Sequence, residues 1–184
     1  GNNNGATITG TASFVDGRIG NAIRFPGSGF NYLDTNQNYQ AVDGTGFSAA
    51  AWVYVERFPA SDSAKLFQHH DANSTVGRSW VNLNYDGAIN TYTGGALTSS
   101  ATGLISEGQW YHIAMSAGEG IVTLYIDGVQ VAQRNDTVES NIAPIRMGNH
   151  KPPNESSNLQ LDGMIDEARV YNRRLTLSEV QTLA

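Results

Sequence analysis

The final two dozen residues, Leu161 to Ala184 (LDGMIDEARVYNRRLTLSEVQTLA), constrain the fold more than any other stretch. Met164, Ile165, Ala168, Val170 and Tyr171 make a strand-like apolar run, interrupted by the acidic pair Asp166–Glu167. A Tyr-Asn-Arg-Arg-Leu corner follows, and then a short helix. Thr176 and Glu179 stand three residues apart, the spacing of a capping box with Thr as N-cap. Leu177, Val180 and Leu183 recur at helical spacing, so one helix face is expected to press onto the body of the protein. A strand carrying a carboxylate pair and then a capped terminal helix is an uncommon order, and it narrows the folds available.

This segment resembles the close of laminin-G-like domains in the concanavalin-A-like lectin/glucanase class. Those end on G-x-I-D-E-x-R-x-Y-N-R-x-L-(S/T), then x-x-E-x-x-x-L. Here Gly163, Ile165, Asp166, Glu167, Arg169, Tyr171, Asn172, Arg173, Leu175 and Thr176 fill the strand and corner, and Glu179 and Leu183 the helix. The stretch GATITGTASFVDGRIGNAIRFPGSG resembles the family's opening, with Pro26 where that pattern prefers Asp. Gly108–Ala114 resembles its G-x-W-H-H-V-A strand, and YIDGVQV its L-Y-(V/I)-D-G hairpin. The resemblance implies an all-β, two-sheet antiparallel β-sandwich, a jelly roll with a short C-terminal helix. It constrains function less, because this fold hosts lectins, adhesins and hydrolases alike.

Composition agrees with one domain over residues 1–184, in which Gly1–Gly5 reads as the edge of a linker. A hydrophobic fraction of 40% can build a core, while charged residues at 15% fall below the usual quarter. Gly, Asn, Ser and Thr fill the deficit, as in chains of many short strands joined by tight turns. Cysteine is absent, which suits a bacterial secreted or cell-surface protein better than a small animal ectodomain. The net charge of −6 offers no basic footprint for nucleic acid, and no stretch reaches 18 apolar residues for membrane insertion.

Ala6–Gly10 and Asn21–Phe25 are expected as the first strands, with Phe14–Gly20 as a loop between them. Phe47–Val55 is a continuous apolar run that predicts a buried strand, and Leu66–His70 a shorter one. Asp86-Gly87 predicts a type I′ hairpin joining Trp80–Tyr85 to Ala88–Thr93. Asp127-Gly128 predicts another, joining Ile121–Ile126 to Val129–Gln133. Turn signals every dozen residues or so predict roughly a dozen strands.

No catalytic residues are expected. Retaining glycosidases hold two carboxylates about 5–5.5 Å apart, which a strand supplies through an E-x-D-x-x-E run that this chain lacks. Asp166 and Glu167 are adjacent, so they are expected on opposite faces. Gln68-His69-His70 echoes alginate-lyase-type sandwiches without their arginine-rich strand, and Gly27-Ser28-Gly29 is no nucleophile elbow. The resemblance implies a structural calcium between the last strand and the loop after the first, with Asp166 and Asp16 as its carboxylate ligands. Asp16 making an Asx-turn with Gly17, and Asp166 capping a backbone amide, is the alternative that the residues alone leave open.

Strand alternation puts Val81, Leu83 and Tyr85 on one face and Trp80, Asn82 and Asn84 on the other. Sugar recognition needs aromatic faces and planar amides, so Trp80 is expected to stack on a sugar with Asn82 and Asn84 bonding hydroxyls. Asn90 and Tyr92 extend this face across the hairpin, and His70, Arg78 and Gln68 line its end. Lys65, Arg78, Arg146 and Lys151 form a basic patch if they converge, which would favour an anionic glycan. Trp52 and Trp110 are expected in the core. The chain therefore reads as a secreted, non-catalytic carbohydrate-binding module that holds a larger extracellular protein on a polysaccharide. An adhesion or spacer domain and a lyase or hydrolase of the same fold are the alternatives.

Overall fold

A computed structural model describes residues 5–41, 46–69, 79–93, 96–136, 141–150 and 159–184. Its strands are β1 (Ala6–Thr9), β2 (Ser13–Asp16), β3 (Asn21–Pro26), β4 (Tyr32–Thr35), β5 (Tyr39–Ala41), β6 (Phe47–Arg57), β7 (Ser63–His69) and β8 (Ser79–Asn84). They continue with β9 (Ile89–Thr93), β10 (Ala96–Ser99), β11 (Trp110–Gly118), β12 (Ile121–Ile126), β13 (Val129–Asn135), β14 (Asn141–Ala143), β15 (Ile145–Met147) and β16 (Asp162–Tyr171). One helix, α1 (Leu177–Leu183), closes the chain. The first sheet runs β1-β4-β15-β7-β8-β9-β10 and the second β13-β12-β11-β6-β16-β3-β2, with β14 and β5 as a small pair. Among the described residues every strand pairing is antiparallel.

The two sheets face each other across one apolar layer. Ala49, Ala51, Val53 and Val55 of β6 meet Leu66, Val81, Leu83 and Ile89 from the first sheet, with Ile113, Met115, Leu124 and Ile165 beside them. Alternation along each strand, rather than overall apolarity, selects these residues. Gly163 lets β16 lie close to β6, because a Cβ there would stand 2.1 Å from the Tyr54 carbonyl oxygen.

The local expectations fare unevenly. Phe14–Val15–Asp16 belongs to a strand, β2, which pairs with β3 through a Gly17–Gly20 turn. Asp127 (φ 50°) and Gly128 (φ 73°) are both left-handed, as a type I′ hairpin requires. At Asp86-Gly87 only the glycine is left-handed, and the loop closes from Asn84 N–H to the Ala88 carbonyl, so the turn is wider. Tyr85 therefore lies beyond β8 and is 59% exposed instead of joining Val81 and Leu83 inside.

The terminal segment folds as its caps dictate. The Thr176 side chain accepts from the Glu179 N–H while the Glu179 carboxylate accepts from the Thr176 N–H. Arg173 forks onto Glu179 and, with the amide bond from Thr176, holds that carboxyl below its ordinary range. Leu175, just before the cap, clusters with Val180 as a hydrophobic staple, on Ala50, Ala114 and Tyr125 of the second sheet. Leu177 remains 48% exposed, so Leu175 takes the role that spacing alone gave to it.

Candidate functional site

The outer face of the first sheet assembles the chemistry. Trp80 lies opposite Tyr92 on β9, and Lys65 of β7 lies opposite Asn82. The Trp80 and Tyr92 rings stack, with centroids 4.5 Å apart and planes 15° from parallel. The Lys65 ammonium sits 4.7 Å from the Trp80 centroid, and His150 meets the same indole edge-on at 6.4 Å. Both broad surfaces of Trp80 thus have neighbours, Tyr92 across one hairpin and Lys65 across the other strand. The indole stands between them, half-buried, and this corrects the expectation of an open stacking platform.

Three amides form a directional chain beside the rings. Asn82 Nδ2 donates to Asn90 Oδ1 (2.8 Å), and Asn90 Nδ2 donates to Asn84 Oδ1 (2.6 Å). Asn82 Oδ1 is left buried without a hydrogen-bond partner. Lys65 is only 5% exposed, and burial lowers its pKa from 10.5 to about 8. It therefore still carries a proton at neutral pH.

Further along the face, Arg146 of β15 makes a bidentate pair with Asp34 of β4 at 2.9 and 2.8 Å. Its guanidinium also lies 3.5 Å from the Tyr32 centroid and donates to the His150 carbonyl. Tyr32 and Asp34 were not foreseen, because β4 reaches β15 across more than a hundred residues of sequence. Of the expected site, the structure brings together Trp80, Asn82, Asn84 and Tyr92, with Asn90 and Lys65. His70 and Arg78 lie outside the described residues, as does Lys151.

The outer face of the second sheet differs. Trp52 and Trp110 point here, away from the inter-sheet layer, because Ala51, Val53, Ile113 and Met115 occupy the inward positions. Arg18 caps Trp52 at 3.6 Å from its centroid, and Trp110 packs beside Tyr54. They border a shallow cleft of about 410 Å³ with Asp127 and Gln181. His112 lies beside Trp52, and burial lowers its pKa from 6.5 to about 4, so it is neutral.

Asp166 is buried and faces the β2–β3 turn, as the resemblance implied. Its Oδ2 accepts from the Ile19 N–H (2.8 Å) and its Oδ1 from the Glu167 N–H (2.7 Å). Gly17 permits that approach, since a Cβ there would come 2.6 Å from Oδ2. Asp16 is exposed at the end of β2. Among the described residues no three His, Cys, Asp or Glu side chains gather as metal ligands. Both Asp166 oxygens already serve amides, so a calcium here would need most of its shell from backbone carbonyls. Glu167 itself sits in a bulge with φ 48°, where two residues of β16, Glu167 and Ala168, oppose the single Ala51 of β6.

One carboxylate pair has divergent acidity. Arg24 forks onto Glu56 and lowers its pKa, whereas burial and the nearby Glu56 charge raise that of Asp162. Both Glu56 oxygens are bound by the guanidinium, the pattern of an ion-pair network.

Residues 27–181 match the laminin-G branch of the Concanavalin A-like lectin/glucanases superfamily, and the chain belongs to that family. Its fold is shared with domain 4 of AbnA, an extracellular GH43 arabinanase from Geobacillus stearothermophilus, solved in complex with arabinotriose. That domain is 28% identical, with all of this chain and 90% of that one covered at a TM-score of 0.69. A SAP-like pentraxin from Limulus polyphemus is 16% identical over 89% of this chain and 81% of its own, with a TM-score of 0.68. A Trypanosoma rangeli sialidase is 17% identical at a TM-score of 0.70, over 97% of this chain but only 28% of its own. No curated protein matches the sequence.

Proposed function

We propose that the chain is a non-catalytic carbohydrate-binding module, secreted or displayed at the cell surface, that holds further domains of a larger protein on a polysaccharide. The observation that carries this is the Lys65–Trp80–Tyr92 row with its adjoining Asn82–Asn90–Asn84 chain, set on the outer face of a sheet. Aromatic edges, amides and an ammonium are the groups that meet C–H surfaces and hydroxyls in sugars. The likeness to an arabinanase domain solved with arabinotriose supports a saccharide ligand. Tethering by such a module raises the local concentration of substrate without new chemistry.

Affinity electrophoresis across neutral, uronate-containing and sulfated polysaccharides tests the reading. Retardation by at least one, weakened tenfold or more in Trp80→Ala with the fold retained by circular dichroism, is the expected outcome. A protein that migrates freely through all gels removes the reading.

The enzyme alternative has one observation in its favour, the opposed acidities of Glu56 and Asp162. Release of reducing ends or unsaturated products by the purified chain, abolished in Asp162→Asn, would establish it. Structural calcium is a separate proposal, supported by the position of Asp166 against the β2–β3 turn. A lowered melting temperature in chelator, restored by calcium and absent in Asp166→Asn, is expected; no shift in chelator removes the ion from the account.

A further inference from the structure

We infer that the Trp80 site takes an acidic sugar, a uronic acid whose carboxylate meets Lys65 while a free hydroxyl of the same ring meets Asn82. This rests on the carbohydrate-binding reading above and names the ligand class of that same site.

Two unspent polar groups sit on directly opposed residues. Lys65 is nineteen-twentieths buried, and its ammonium has no carboxylate within salt-bridge range among the described residues. Its charge rests against the Trp80 ring, and Asp62 acts on it only through space. Arg146, the other buried cation on this face, shows what compensation looks like: a fork of two short bonds onto Asp34. A desolvated cation without a counter-charge opposes folding, since burial removes hydration and no ion pair offsets it. Asn82, paired with Lys65 across β7 and β8, has spent its Nδ2 on Asn90 and leaves Oδ1 buried and unpartnered.

The site thus offers a positive donor and a neutral acceptor side by side. A hydroxyl alone would satisfy Asn82 and leave the charge uncompensated. A carboxylate alone would answer Lys65 and crowd an oxygen against Asn82 Oδ1. A uronic acid carries both groups on one ring: the carboxylate accepts from Lys65 Nζ, and a free ring hydroxyl, the one on C3 in a 1→4-linked chain, donates to Asn82 Oδ1. The ring between them lies along the upright edges of Trp80 and Tyr92, where C–H contacts need no free aromatic face.

The test compares polygalacturonate, alginate and glucuronoxylan with their methyl-esterified or carboxyl-reduced forms, by affinity electrophoresis with the intact chain. At least one acid form should bind tenfold or more tightly than its neutralised counterpart. Lys65→Met should erase that preference while holding or raising the melting temperature, a combination that a purely structural lysine would not give. Lys65→Arg should keep the preference. Equal binding of acid and neutralised forms, a preference that survives Lys65→Met, or capture by sulfated glycans alone overturns the inference. Binding of neutral glycans only does so too, yet leaves the module reading standing, whereas silence across all gels removes both. If Lys65→Met fails to fold, the acid-against-ester comparison on the unmodified chain still decides.

Discussion

The two sheets use the same inward pattern and end with opposite outer faces. On the second sheet, Ser48 and Ser116 face each other across β6 and β11 and are fully buried. They bind the Arg173 and Leu175 carbonyls and share the Leu175 N–H, which locks the corner before α1 onto the sheet. Further along the same face, burial leaves His112 neutral at neutral pH. On the first sheet, Lys65 keeps its charge at neutral pH while buried, beside an unpartnered Asn82 oxygen. Both faces keep buried polar atoms without partners, His112 Nδ1 and Thr123 Oγ1 on the second and Asn82 Oδ1 on the first, so the contrast is one of charge: only the first holds a buried ammonium that stays protonated at neutral pH.

Changes on the covered face should cost stability and spare binding. Leu175→Ala removes the staple and opens a void under α1, at an expected cost of about 2–5 kcal/mol by denaturant titration, with glycan retardation unchanged. Lost retardation in a folded Leu175→Ala would break the division of labour.

The two depressed bases sharpen the comparison through pH. His112 is neutral in the fold down to about pH 4, against 6.5 when unfolded, so the unfolded chain binds more protons between these values. Its contribution is complete above pH 6.5 and disappears as pH falls toward 4, on the order of 3 kcal/mol, which His112→Gln should flatten. Lys65 titrates near pH 8 in the fold against 10.5 unfolded, so its burden is present below pH 8 and is relieved as pH rises toward 10.5. Melting temperatures from pH 7 to 10 should show that gain in the parent chain and not in Lys65→Met.

Smallest is the cap. Thr176→Ala should cost about 1 kcal/mol, because it removes only the side-chain partner of the Glu179 N–H. A larger loss would mean that the cap also holds the corner against the second sheet.

Much of this was legible in the chain. Period-two alternation placed Val81 and Leu83 inside and Trp80, Asn82 and Asn84 outside, and the Thr176–Glu179 spacing announced the capped helix. The run FSAAAWVYV could not be divided the same way, since both of its faces are apolar. Ala49, Ala51 and Val53 enter the inter-sheet layer, while Ala50 lies under the helix cluster and Trp52 under Arg18. That is why Trp52 and Trp110 looked like core.

The sequence by itself determined the family, the hairpin at Asp127-Gly128, the helix cap and the sidedness of each alternating strand, because those depend on near neighbours and on period. Only the tertiary structure decided what each outward residue meets. Lys65 faces Asn82 and Trp80, and Arg146 faces Asp34, through pairings between strands far apart in the chain. A charge acquires its meaning from the partner that it finds or lacks across a sheet, and no local pattern encodes that partner.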